Sequence, residues 1–171
     1  MPELVACSVC GELHSLDEIE LTFKRPDAIA ALSAIDREQS CKEAEDLCAI
    51  WGEDDDSHRF FVRGVLPIKI AARSIPYNIG AWIEVSKEVF NRINELWDSD
   101  SQLHEPPFKG KLANEIPTRV GSLELKGHIQ LTGPTTRPNF MSSDAESTLF
   151  ADQQFGVTEH QVAEYTKSLA L

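Results

Sequence analysis

Residues 79 to 97 read Ile79-Gly80-Ala81-Trp82-Ile83-Glu84-Val85, then Ser86, then Lys87-Glu88-Val89-Phe90-Asn91-Arg92-Ile93-Asn94-Glu95-Leu96-Trp97. The apolar pattern changes period within this single stretch. Its first seven residues are rich in β-branched and aromatic side chains around Trp82, which predicts a strand. From Val89 onward the apolar residues are Val89, Phe90, Ile93, Leu96 and Trp97, the i, i+1, i+4, i+7, i+8 spacing of one helix face. Ser86 supplies a side-chain oxygen that can accept from the first-turn N–H groups, so the helix is expected from residue 87 to Asp98.

Working outward, the chain on both sides of this junction reads mainly as β. Leu47 to Trp51 and Arg59-Phe60-Phe61-Val62-Arg63 form two expected strands, and the acidic run Glu53-Asp54-Asp55-Asp56 between them is a solvated hairpin tip. Gly64 and Pro67 interrupt Val65 to Ile70, which predicts a bend or bulge and an edge-like place for the proline. After a loop at Glu105-Pro106-Pro107, the segments Phe108 to Ala113, Ser122 to Leu131 and Arg137 to Met141 are further strands, with Gly121, Gly133 and Pro134 at the turns. Toward the N-terminus, residues 19–23 alternate as a half-buried strand does. Pro26 pre-sets a short helix carrying Ile29, Leu32 and Ile35. Asp36 and Gln39, in capping-box spacing, start a second helix near Arg37 that ends by Glu45. Thr158 and Gln161 repeat that spacing before a terminal helix whose apolar face is Val162, Tyr165 and Leu169.

The order is not a repeating βαβα, so the expected fold class is α+β. A mixed or mainly antiparallel sheet is built mainly from residues 47–85 and 108–141, with helices packed on it and the 87–98 helix covering one face. At 171 residues the chain fits a single domain. Within it, 1–24 form a knuckle and first strand, 25–141 the core, and 142–171 a C-terminal helical segment. With 42% hydrophobic and 26% charged residues, the composition is that of a globular protein. Sixteen Lys plus Arg against 28 Asp plus Glu leave a formal net charge of −12, which repels phosphate backbones and anionic lipid. Neither nucleic acid nor a membrane is therefore an expected partner. The apolar runs fall far short of the roughly 20 residues a span needs, and the N-terminus lacks the basic-then-apolar order of a signal peptide. The expected location is the cytoplasm.

The four cysteines raise the question of a metal. In Cys7-Ser8-Val9-Cys10-Gly11, two thiolates three positions apart on a tight turn can present both sulfurs to one tetrahedral ion, and the following glycine lets the turn close. A thioredoxin-like redox pair is disfavoured, because that chemistry needs a helix N-terminus after the motif and turn and strand are expected here. A structural zinc needs four ligands, and no second Cys-x-x-Cys exists. The remaining candidates are His14, Cys41 and Cys48, and the expected metal set is Cys7, Cys10, His14 and Cys48. Cys41, Ala44 and Cys48 also have the spacing of a helical core face, so four unliganded thiols are the competing reading.

Taken together in order, several segments resemble a bacterial family known as domain of unknown function 2199. They are Cys7-x-x-Cys10-Gly11-x-x-His14, Asp46-Leu47-Cys48, Phe60-Phe61-Val62-Arg63-Gly64, Trp82-x-x-Val85-Ser86 with Phe90 and Leu96-Trp97, Arg137-Pro138 and Gly156-Val157-Thr158. The resemblance implies one domain and carries no activity with it.

No residue pattern assigns a reaction. The acidic run lacks the spaced oxygens and turn glycine of a calcium loop. His58, His104, His128 and His160 have neither a nucleophile elbow nor a paired carboxylate that the sequence places beside them. Both GxxxxGK[ST] and GxGxxG are missing. Trp51, Trp82 and Trp97 read first as core aromatics and second as a ligand groove. Arg63 either ends a strand at the surface or reaches a carboxylate across the sheet. The leading expectation is a non-enzymatic acidic interaction domain that masks a basic protein partner, steadied by a small zinc site. The competing class is a small hydrolase or other enzyme whose site assembles only in three dimensions.

Overall fold

The change of period at Ser86 is where a strand passes into a helix in the computed structural model, which describes residues 4–6, 13–15, 20–71 and 73–167. The elements are β1 (Leu4–Ala6), β2 (Leu13–Ser15), α1 (Asp27–Ala30), α2 (Ala34–Ser40), β3 (Cys41–Glu43), β4 (Leu47–Ile50), β5 (Arg59–Ile68), β6 (Tyr77–Val85), α3 (Lys87–Leu96), β7 (Phe108–Leu112), β8 (Lys126–Gln130), β9 (Asn139–Ser142), α4 (Thr148–Phe155) and α5 (Glu159–Lys167). The class is α+β. The expected knuckle at Cys7 to Gly11 lies outside the described residues.

Strands β5 to β9 form an antiparallel meander that closes on itself. Five strands that alternate in direction leave the first and fifth running the same way, so closure has to be parallel. Val65 pairs with Asn139 in that sense, and the Val65 N–H donates to the Pro138 carbonyl at 2.8 Å. The result is a five-stranded barrel, with β4 on the Arg59 to Val62 half of β5 and β3 beyond it. Gly64 and Pro67 do not break β5 as expected. Its ladder with β6 is continuous from Phe60–Val85 to Ile68–Tyr77.

Alternation sends Val62, Leu66, Ile68, Ile79, Ala81 and Ile83 into the barrel, where Leu112, Ile129 and Phe140 meet them. The wall is tight where Gly110 and Gly127 face each other across β7 and β8. A Cβ on Gly127 would lie 2.3 Å from the Met141 carbonyl oxygen and 2.5 Å from the Phe140 ring, so only a hydrogen fits there. The Ser86 hydroxyl caps α3 by accepting from the Val89 N–H at 3.2 Å. Ile93 and Leu96 of α3 are buried, and Val89, Phe90 and Trp97 pack half-buried against the same core. Burial of each large side chain contributes roughly 1.5–3 kcal/mol, which holds the helix on the barrel.

The other face of β4 to β6 carries a second, smaller core. Ile29 of α1 sits there on Cys48, Phe61, Trp82 and Ala113. Asp27 anchors the helix: its carboxylate accepts from Asn114 Nδ2 at 2.9 Å and from the Glu115 N–H at 2.7 Å. Buried Asn114 in turn accepts from the Trp82 N–H at 2.8 Å.

Four expectations need correcting. The helix after Pro26 ends at Ala30, so it carries Ile29 but not Leu32, and Ile35 lies exposed in α2. Residues 20–23 are not a strand; only Thr22 makes an isolated parallel bridge to Gly80. The second helix starts one turn early, because Ser33 is the cap that accepts from the Asp36 N–H, and it ends at Ser40. Residues 41–43 are therefore strand, since pairing with β4 satisfies their backbone and further helix would not. The Thr158–Gln161 capping box is present in both directions, at 2.9 and 3.3 Å.

The C-terminal helices are fixed by a buried polar cluster. Arg119 donates to Asp152 at 2.5 Å, the Tyr165 hydroxyl donates to the same carboxylate at 2.9 Å, and the guanidinium lies over the Tyr165 ring. Tyr165 stacks on Tyr77, whose hydroxyl accepts from the Leu21 N–H at 2.7 Å. Among the described residues, no helix is long and apolar enough to cross a membrane.

Candidate functional site

Of the expected metal ligands, the described residues His14 and Cys48 fall in two different sheets. Cys7 and Cys10 belong to the segment joining β1 and β2 and lie outside the described residues. His14 is in β2, opposite Val5 in the antiparallel register. Cys48 is in β4, paired with Glu43 on one side and Phe61 on the other. Its thiol is buried in the outer core and donates to the Ala44 carbonyl at 3.7 Å. Burial pushes that thiol up to about 11 and also raises Cys41, so both are held as thiols. Cys41 and Cys48 share a face because a strand hairpin brings them together, not through the helical spacing that the sequence suggested. Among the described residues, no three His, Cys, Asp or Glu side chains are grouped to hold a metal ion.

The β4–β5 connection is a polar loop held by its own hydrogen bonds. Glu53, Asp54, Asp55 and Asp56 are all exposed, as expected of a hairpin tip. The tip is nevertheless built, with a single 3-10 turn at Asp55–Ser57. The Asp54 carboxylate accepts from the Ser57 N–H at 3.0 Å, and the Ser57 hydroxyl accepts from the Asp54 N–H at 3.1 Å. The Gly52 N–H donates to His58 Nδ1 at 2.8 Å, which leaves the ring proton on Nε2, 3.5 Å from Asp55. Trp51 stands edge-on to His58 and Phe60, with ring centroids 5.1 and 6.2 Å away. It is 46% exposed, whereas Trp82 is 1% exposed. The core reading therefore holds for Trp82, holds in part for Trp97, and fails for Trp51.

Arg63 does something the sequence did not suggest. It lies over the Trp82 ring and donates to the Glu45 carbonyl and the Thr22 hydroxyl, each at 3.3 Å, and among the described residues it reaches no carboxylate directly. Its neighbour Arg137 takes the carboxylates, Asp46 at 2.8 Å and Glu45 at 3.6 Å. Burial and the nearby Arg137 charge lower the pKa of Arg63. Beside this pair, Asp46, Asn78, Thr132, Thr136 and Asn139 line a polar cleft of about 750 Å³. Three histidines are scattered: His104 and His128 are exposed on separate elements, and His160 lies 3.6 Å from Glu164.

The sequence model of a family described as an uncharacterized protein conserved in bacteria, DUF2199, matches residues 6–157. The chain belongs to the DUF2199 family. No curated protein and no solved structure matches it. The DUF2199 match takes in the Cys7 to His14 segment, the acidic tip and the whole barrel. It ends at Val157, the residue that bridges to Ile70 and ties the end of α4 to the barrel. The exposed Trp51 of this DUF2199 chain was hidden from sequence reasoning because a tryptophan at a strand end looks the same whether its ring turns inward or outward. Its one available signal was adjacency to four acids, since a core residue seldom borders such a run.

Proposed function

We propose that this protein is a non-enzymatic acidic interaction domain that docks a basic segment of a protein partner on the β4–β5 tip. The observation that carries the reading is Trp51, 46% exposed on a hydrogen-bonded loop beside Glu53, Asp54, Asp55 and Asp56. Tryptophan is, with tyrosine and arginine, enriched at the energetic centres of protein interfaces. Four exposed carboxylates around it select Lys and Arg and speed the encounter, as does the net charge of −12. Because the Asp54–Ser57 and Gly52–His58 bonds already fix the loop, little ordering entropy is lost on docking. We propose in addition that Cys7 and Cys10, with His14, supply three of the four ligands of a structural zinc. Cys48 is the least suited of the expected ligands, because it is buried beside Ile29, Phe61 and Trp82 on the β3–β4 hairpin.

Capture from an extract of the native host tests the docking reading, using wild type and Trp51→Ala at low and at high salt. The expected outcome is a basic protein retained by wild type at low salt, released as exposed charges are screened, and lost with Trp51→Ala. A partner retained equally by both proteins at both salts would overturn it. Elemental analysis of freshly purified protein tests the metal: about one zinc per chain is expected, falling to none in Cys7→Ser/Cys10→Ser.

A further inference from the structure

A second site lies on the opposite charge balance, where the barrel wall opens. The β6–β7 ladder has only two pairs, Ile83–Leu112 and Glu84–Lys111. Beyond Glu84, β6 turns at Ser86 into α3, while β7 begins at Phe108. The parting strands leave a cleft of about 910 Å³. Its apolar walls are Val85, Val89 and Phe108, side chains that also border the main core. Small-molecule sites commonly enclose about 300–1,000 Å³ and are mainly apolar with a few placed polar groups.

The mouth of the cleft is cationic in a protein whose net charge is −12. Register puts Lys109 opposite His128 and Lys111 opposite Lys126, so all four share the outer face of β7–β8 at the cleft. Lys111 is neutralised by Glu84 and Glu124, each 3.5 Å away. Lys109 and Lys126 are exposed and have no ion-pair partner among the described residues. An apolar slot beside two uncompensated ammonium groups matches one kind of ligand: a hydrocarbon chain ending in an anion.

We propose that the β6–β7 cleft binds an anionic amphiphile, with its chain between Val85, Val89 and Phe108 and its carboxylate or phosphate head on Lys109 and Lys126. This site is separate from the Trp51 tip and does not depend on it. Isothermal titration of the full chain with dodecanoate, dodecyl phosphate, hexanoate and dodecanol tests the proposal. One site per chain is expected for at least one twelve-carbon anion, with a raised Tm because the ligand binds only the folded state. Whichever of the two anions binds tighter identifies the head group. Each methylene removed should weaken binding about three- to fourfold, so hexanoate should be nearly silent. Dodecanol and the charge-reversed Lys109→Glu/Lys126→Glu variant should each bind at least about tenfold more weakly than the wild-type anion complex. Both substitutions are on exposed side chains, and circular dichroism checks that the variant is folded. Three results would overturn the proposal: no twelve-carbon anion binding below about 1 mM, a lowered Tm with many ligands per chain, or dodecanol binding as tightly as dodecanoate.

Discussion

Replacing Asp152 by alanine should be among the most destabilising single changes in this protein. The side chains of Arg119 and Asp152 are 9% and 7% exposed, so their ion pair is out of water. Removing one partner of such a pair costs about 3–5 kcal/mol, because the surviving charge stays buried without its counter-ion. Arg119 keeps the Thr118 carbonyl at 3.0 Å and hydroxyl at 3.2 Å, which places the loss at the lower end, about 3 kcal/mol. The Tyr165 hydroxyl loses its acceptor as well, adding about 1 kcal/mol and bringing the sum to about 4 kcal/mol. In a chain of this size each kcal/mol moves Tm by about 2–4 °C, so a fall of about 8–16 °C is expected. Urea melts followed by tryptophan fluorescence at neutral pH measure the loss directly. The triple change Arg119→Met/Asp152→Leu/Tyr165→Phe replaces every member of the cluster with an apolar group, and most of the stability should return. A cost under about 1 kcal/mol for Asp152→Ala, or a triple variant as unstable as the single, would refute the reasoning.

Three further expectations follow from the same structure. Burial alone pushes the Glu84 carboxyl up, but the two bonds from Arg59 at 2.7 and 2.8 Å, with Lys111 behind them, outweigh burial and hold it below its ordinary value. A depressed carboxyl contributes stability that is complete above its unfolded pKa and lost as pH falls through the folded one. The advantage of wild type over Glu84→Gln in urea melts should therefore be full at neutral pH and shrink below the ordinary carboxylate range; an advantage unchanged at about pH 3 would count against it. Cys48, pushed up to about 11 by burial, should stay unmodified by iodoacetamide at about pH 8 in the native protein and react once urea unfolds it, as read by peptide mass spectrometry. Gly127→Ala should cost about 1–3 kcal/mol in the same melts, since its methyl group meets a carbonyl and an aromatic ring that cannot both withdraw.

The sequence by itself determined the local elements whose signals are local. The Ser86 cap and the Val89 to Trp97 stripe specified α3, and the Thr158–Gln161 pair specified the start of α5, because caps and helical periodicity act within a turn or two of chain. Clusters of β-branched and aromatic residues specified β4, β6, β7 and β9 to within two residues at each end, whereas β5 was expected in two pieces and β8 was expected to start four residues too early; the four acids specified an exposed tip. Cys41 to Glu43 was misread as helix because Cys41, Ala44 and Cys48 have core spacing in that geometry too. Only pairing with β4, which is a contact between separate segments, decided for strand.

Tertiary structure alone decided how the strands close. Val65 meets Asn139 across more than seventy residues, and nothing local in either segment announces a partner at that distance. The same holds for the two faces of β5: alternation said that Phe61 and Val62 point opposite ways, but not that both faces would be covered, one by the barrel interior and the other by Ile29 of α1. Arg63 was legible as an oddity and not as a group lying on Trp82, because its contacts come from Thr22 and Glu45 on other segments. The outward turn of Trp51 and the parting of β6 from β7 belong to the same class. Each depends on which surfaces remain uncovered once the whole chain has packed, and that sum is fixed only when every long-range contact is in place.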